Sequence, residues 1–170
     1  DLSDFLSDDS SRKEKFIQKI GNAYEEIGFV ALKGHFLSDE LTKNLYQEVK
    51  SFFELPVEIK AKYEIAGLAG QRGYTSFGKE HAKQSEVPDL KEFYQIGQFV
   101  SNDHPLRANY PPNVMVGEQP SFLMWGKQLY QNFERAGAHL LRAIALHLEL
   151  PEDYFAGKID KGNSILRAIH

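Results

Sequence analysis

The 170 residues contain no cysteine. That excludes a disulfide framework, thiolate zinc sites, iron–sulfur clusters and a cysteine nucleophile. No apolar run approaches the roughly 20 residues that span a bilayer. Neither sign of charge dominates: 20 basic against 24 acidic residues leave a formal charge of -4. Basic residues are scattered rather than clustered, so neither a nucleic-acid-binding face nor a polybasic membrane patch is supported. The start, Asp1-Leu2-Ser3-Asp4, has no Met and no signal-peptide pattern. The chain is therefore expected to be trimmed at its front and to work in the cytoplasm. Familiar catalytic signatures are missing too: there is no Gly-x-Ser-x-Gly elbow, and no phosphate loop ending in Gly-Lys-Ser/Thr.

What is present is a packable chain, 42% hydrophobic and 12% aromatic, long enough for one domain. Ser11-Arg12-Lys13-Glu14 fits a capping box, and Phe16, Ile17, Ile20, Tyr24 and Ile27 follow at helical spacing up to Gly28. Phe29 to Leu32 reads as a short buried strand. A second helix opens near Ser38 with Asp39 and Glu40 at its positive end, and carries Leu41, Leu45, Val49, Phe52 and Phe53. Pro56 starts a third, short helix through Lys60. Gly67 to Gly78 is too rich in glycine for a helix and reads as a loop with special backbone angles. Lys91 to Val100 reads as a strand, and a proline-rich connector with Asn109-Tyr110-Pro111-Pro112 follows it.

From Ser121 to Leu150 the apolar positions keep three- and four-residue steps, which predicts one long helix; Gly137 marks a close contact or bend, and Pro151 is the stop. Ile165 to His170 is a final strand with no partner after it. Strand alternation puts Ile165, Arg167 and Ile169 on one face and Leu166, Ala168 and His170 on the other.

These segments resemble, in order, the opening of the isopenicillin N synthase-like family of non-haem Fe(II)/2-oxoglutarate-dependent oxygenases. The matching pieces are Ala23 to Phe29 with Gly34-His35, Phe52 to Lys60, Arg72-Gly73-Tyr74, Lys91-Glu92-Phe93, Asn109-Tyr110-Pro111 and Ile165 to His170. The resemblance implies an α+β architecture: a helix-rich N-terminal layer over 1–118, then over 119–170 a spine helix and the entry strand of a jelly roll whose catalytic barrel is largely absent. It implies a whole protein that uses Fe(II) and 2-oxoglutarate to hydroxylate, desaturate or cyclise a small molecule, as a monomer, with no nucleic-acid or membrane partner. The rival is a non-catalytic helical interaction module with the same front layer.

The family's iron is held by His-x-Asp and a distant His, with Arg-x-Ser on the far carboxylate of 2-oxoglutarate. Of the six histidines, five are followed at the second position by Leu37, Lys83, Leu106, Leu141 and Glu149; none gives His-x-Asp. His147-Leu148-Glu149 lies in a predicted helix, where residues two apart diverge. No catalytic residue and no metal ligand is therefore assigned within the 170 residues; the ligands are expected beyond His170, and this portion alone is expected to be inactive and to bind neither group. Four residues are expected to face substrate. Arg72 and Tyr74 sit in the glycine-rich loop, at the mouth of the pocket in the resemblance; the alternative is a solvent-exposed arginine and a packed tyrosine. In the resemblance the face carrying Arg167 and Ile169 looks into the barrel, where an arginine needs an anion: a substrate carboxylate or a structural Asp or Glu.

Overall fold

A computed structural model describes residues 1–81 and 87–170; Lys83 lies outside the described residues. The described chain forms two compact units. One is made by residues 1–37 and 131–162, the other by 38–130 and 163–170.

In the first unit, α1 (Leu2–Phe5) and α2 (Ser10–Glu26) pack with the later part of α5 (Pro120–His147), and α6 (Ala156–Ile159) follows. Its core holds Leu2, Phe5, Phe16 and Ile20 against Ala136 and Ala143. The cap of α2 is Asp9, not the predicted box: its Oδ1 accepts from the Ser11 and Arg12 amides at 2.9 and 3.3 Å. A carboxylate two residues upstream satisfies the free amides before a hydroxyl needs to. Gly28 does close the helix, with φ +79°. Phe29 to Leu32 is a correction. The segment forms no strand, and Phe29 is 80% exposed. No neighbouring strand among the described residues bonds to it, and a strand exists only as a pair.

In the second unit, α3 (Asp39–Phe53) is capped by Ser38, whose Oγ accepts from the Leu41 amide at 3.1 Å. Pro56 precedes α4 (Val57–Lys60). The sheet has three antiparallel strands in the order β1 (Gly73–Thr75), β2 (Phe93–Gly97), β3 (Ile165–Ile169). So the glycine-rich stretch is not all loop. Gly73, at φ +74°, turns the chain into a short strand. The final strand is not unpartnered either: it pairs with β2 from Phe93↔Ile169 through Gln95↔Arg167 to Gly97↔Ile165. Its partner lies some seventy residues back, which reading forward along the chain overlooks.

One face of this sheet is core. Tyr74, Tyr94 and Ile96, with Leu166 and Ala168, meet Phe52, Phe53, Val116 and Phe122. The aromatic rings touch edge-on, Tyr94 to Phe122 at 4.8 Å and to Phe52 at 5.0 Å. Helix α5 comes close to the sheet at Gly126, where a Cβ would overlap Ile96; Gly137, the expected contact, meets open space and the helix runs through it unbroken. No described helix is long and apolar enough to cross a membrane.

Candidate substrate-facing surface

The second face of the sheet carries the chemistry. Opposed residues of an antiparallel pair share a face, so Phe93, Gln95 and Gly97 of β2 stand with Ile165, Arg167 and Ile169 of β3. The glycine-rich loop lies over the β1 side: Gln95 donates an amide hydrogen to the Gly70 carbonyl, and Gly70 lies against Thr75 and Phe93. Beyond it opens a groove of about 600 Å³, lined by Glu64, Gly67, Ala69, Thr75, Glu80 and Phe93 among others. Burial alone would raise the Glu64 carboxyl, but the Ser76 hydroxyl and amide, with Lys79 close by, hold it below its ordinary range.

Arg167 is exposed on this face. Its guanidinium covers the Phe93 ring at 4.2 Å, Nε donates to Gln95 Oε1 at 3.2 Å, and Nη1 lies 3.5 Å from Glu80 Oε2. Ile169 and Ile165 flank it, both exposed. Arg72 is the opposite case. It is 1% exposed, and its guanidinium fills the space that a side chain at Gly97 would take. Nη1 donates to the Gln71 carbonyl at 2.7 Å, but Nε and Nη2 meet no partner among the described residues. Burial lowers its pKa, though the guanidinium stays charged at any ordinary pH. Two residues apart on β2, Gln95 and Gly97 thus hold Arg167 and Arg72 on one face.

Tyr74 goes elsewhere. Its ring is in the core and its hydroxyl donates to Glu92. Burial and that neighbouring carboxylate push its pKa up. Arg167 and Ile169 thus share one strand face, Arg72 is buried against Gly97 of that face, and Tyr74, whose hydroxyl is held by Glu92, also lies in the lining of the groove. Residues that carry no local signal complete the surroundings. Asn113 bonds both backbone groups of Gly97, accepting at 2.8 Å and donating at 2.9 Å, as a neighbouring strand would. Gln95 bridges both sides. Asn113 stands just past Asn109-Tyr110-Pro111-Pro112, but nothing in one sequence ties it to Gly97.

The histidines are placed for packing and pairing. His147 Nε2 lies 2.9 Å from Glu25, its ring in the space over Gly21, whereas Glu149 sits past the helix end at φ +58°. His139 is wedged between Phe5 and Phe36, and burial beside Arg142 lowers its pKa. Among the described residues no three His, Asp or Glu side chains converge. These residues do not fit an iron site.

Residues 1–118 match the family model described as the N-terminal region of non-haem dioxygenase in morphine synthesis. The chain belongs to the 2-oxoglutarate/Fe(II)-dependent oxygenase family. A proline hydroxylase of Petromyces alliaceus is 30% identical over 100% of the chain and 53% of its own length. Among solved structures, a putative 2OG-Fe(II) oxygenase family protein from Caulobacter crescentus superposes with a TM-score of 0.81. It is 37% identical, over 91% of this chain and 50% of its own. A full-length Neurospora crassa protein, solved in complex with alpha-KG and thymine, gives 0.80 at 26% identity, over 99% of this chain and 53% of its own. The chain thus spans about half the length of the relatives it matches. The α+β architecture, with a helix-rich front and an unclosed sheet, is that of an oxygenase front half.

Proposed function

We propose that the whole protein is a cytoplasmic, monomeric Fe(II)/2-oxoglutarate-dependent oxygenase that hydroxylates, desaturates or cyclises a small molecule bearing an anionic group. In this reading residues 1–118 form its helical front and residues 119–170 its spine helix and the entry to its barrel. The observation that supports it is the pair of guanidinium groups on one sheet face, one of them buried with two unused nitrogens. A carboxylate matches a guanidinium through two parallel hydrogen bonds. Arg72 and Arg167 would grip the substrate, Ile169 would shape the apolar wall beside it, and Tyr74 would brace the loop from behind. Fe(II) and 2-oxoglutarate would be held by residues outside these 170.

The test is turnover by the whole protein with Fe(II), 2-oxoglutarate and oxygen across a panel of small amino and carboxylic acids. Succinate release that depends on one of them is expected. Arg167→Met should weaken coupled turnover by the roughly 2–5 kcal/mol of a lost partner in a desolvated charge pair. Uncoupled succinate release should persist. Unchanged coupled turnover in the variant would remove Arg167 from the pocket, and no succinate under any condition would sink the oxygenase reading.

A further inference from the structure

Four of the segments that carry the family resemblance each send one side chain to a single buried point. Glu92, 1% exposed, is the centre. Lys60 Nζ donates to both of its oxygens, at 2.8 and 2.7 Å, and also to the Phe53 carbonyl at 3.0 Å. The Tyr74 hydroxyl reaches one carboxylate oxygen, and His170 Nδ1 lies 3.0 Å from the other. The His170 ring is stacked on Phe53, centroids 5.2 Å apart and planes 21° from parallel. Backbone bonds tie the same two residues together: the Glu92 amide donates to the His170 carbonyl at 3.0 Å, and the His170 amide donates to the Glu92 carbonyl at 2.9 Å.

This geometry fixes a proton. With Lys60 charged beside it, Glu92 is an ionised carboxylate, and a carboxylate only accepts. The hydrogen in the His170 contact must therefore sit on Nδ1, the ring nitrogen that faces the carboxylate. His170 immediately follows β3, three residues after Arg167, so a bond here holds the end of the strand that carries Arg167.

We propose that Glu92 is a positioning residue. Through the Nδ1–H of His170 it pins the end of β3, and so keeps Arg167 in register with Gln95. This rests on the reading of Arg167 as a substrate-facing group; the bond itself does not.

The test uses the whole protein with His170→Asn and His170→Gln. An asparagine amide can stand where Nδ1–H stood, and a glutamine amide stands nearer the place of Nε2. Nitrogen-detected spectra of the imidazole should show His170 protonated at Nδ1. The residue-170 backbone amide should exchange with solvent at near the wild-type rate in His170→Asn. In His170→Gln it should exchange about tenfold faster or more, the loss expected for a hydrogen bond to a charged group. The Arg167 Nε–H resonance, which reports the bond to Gln95, should move only in His170→Gln. An Nδ1 without a proton in the wild type, equal exchange in both variants, or an Arg167 signal unmoved in His170→Gln would each overturn the proposal. None of these measurements needs turnover, so an inactive protein with an intact bond would count against the oxygenase reading alone.

Discussion

Arg72 and Arg167 share a sheet face but have opposite energetics. A buried guanidinium that makes one hydrogen bond to a carbonyl has lost its hydration without a counter-charge among the described residues, and such a group costs stability. Arg167, exposed beside Glu80, is in the class of surface pairs worth about 0–1 kcal/mol. Arg72→Met should therefore leave the melting temperature of the 170-residue chain unchanged or raise it, and Arg167→Met should lower it by no more than a degree or two. Thermal melts of the two variants decide this. A loss above about 2 kcal/mol for Arg72→Met would mean its unused nitrogens are satisfied after all. The sequence made both arginines conspicuous, one in a glycine-rich loop and one between isoleucines. Which of them is buried depends on Gly97, a residue twenty-five positions from Arg72, and no local pattern connects the two. Glu92 was hidden for the same reason: its partners are at 60, 74 and 170.

At the scale of elements, what repeats locally was legible. Apolar spacing gave α2, α3 and α5 nearly to their ends, and alternation gave β2 and both faces of β3. What depends on a partner was not. Phe29 to Leu32 has the composition of a strand without a neighbour, whereas Gly73–Thr75 has the composition of a loop and is a strand because β2 lies beside it. Contact glycines follow the same rule, since nothing local separates Gly126 from Gly137. Gly97 makes the most specific case. A Cβ there would overlap the Arg72 guanidinium, so Gly97→Ala must push Arg72 out of its slot. The cost should be about 1–3 kcal/mol, the range for overpacking. Pairing it with Arg72→Ala should recover most of that loss, because the side chain in the way is gone. Chemical denaturation of the single and double variants gives the coupling directly. If the two losses simply add, the close approach of Arg72 to β2 is wrong.

Over the whole chain, buried and paired carboxylates set the response to acid. Burial alone would raise Glu92, but hydrogen bonds from Lys60, Tyr74 and His170 outweigh it and hold its carboxyl below its ordinary value of 4.5. Glu152 is lowered in the same way by Lys13 and Arg142, and Glu64 by Ser76 and Lys79. The sign follows from proton counts. Below about pH 4.5 the unfolded chain takes up protons that the folded chain still refuses, so the unfolded state binds more and stability falls as pH falls. Stability contributed by these groups is complete above about pH 5 and is lost as pH drops through their lowered folded values. Glu152 and Glu64 are partly exposed and lie in solvent-screened pairs, so Glu92, 1% exposed, should dominate. Replacing Lys60 and Glu92 together by Met and Gln avoids stranding a charge; swaps of this kind are often neutral near pH 7. Between pH 5 and 3 the double variant should lose stability less steeply, by up to about one proton in the slope. Urea midpoints measured across that range test it. An acid limb as steep as the wild type's would mean that Glu92 is not the carboxylate whose protonation unfolds the chain.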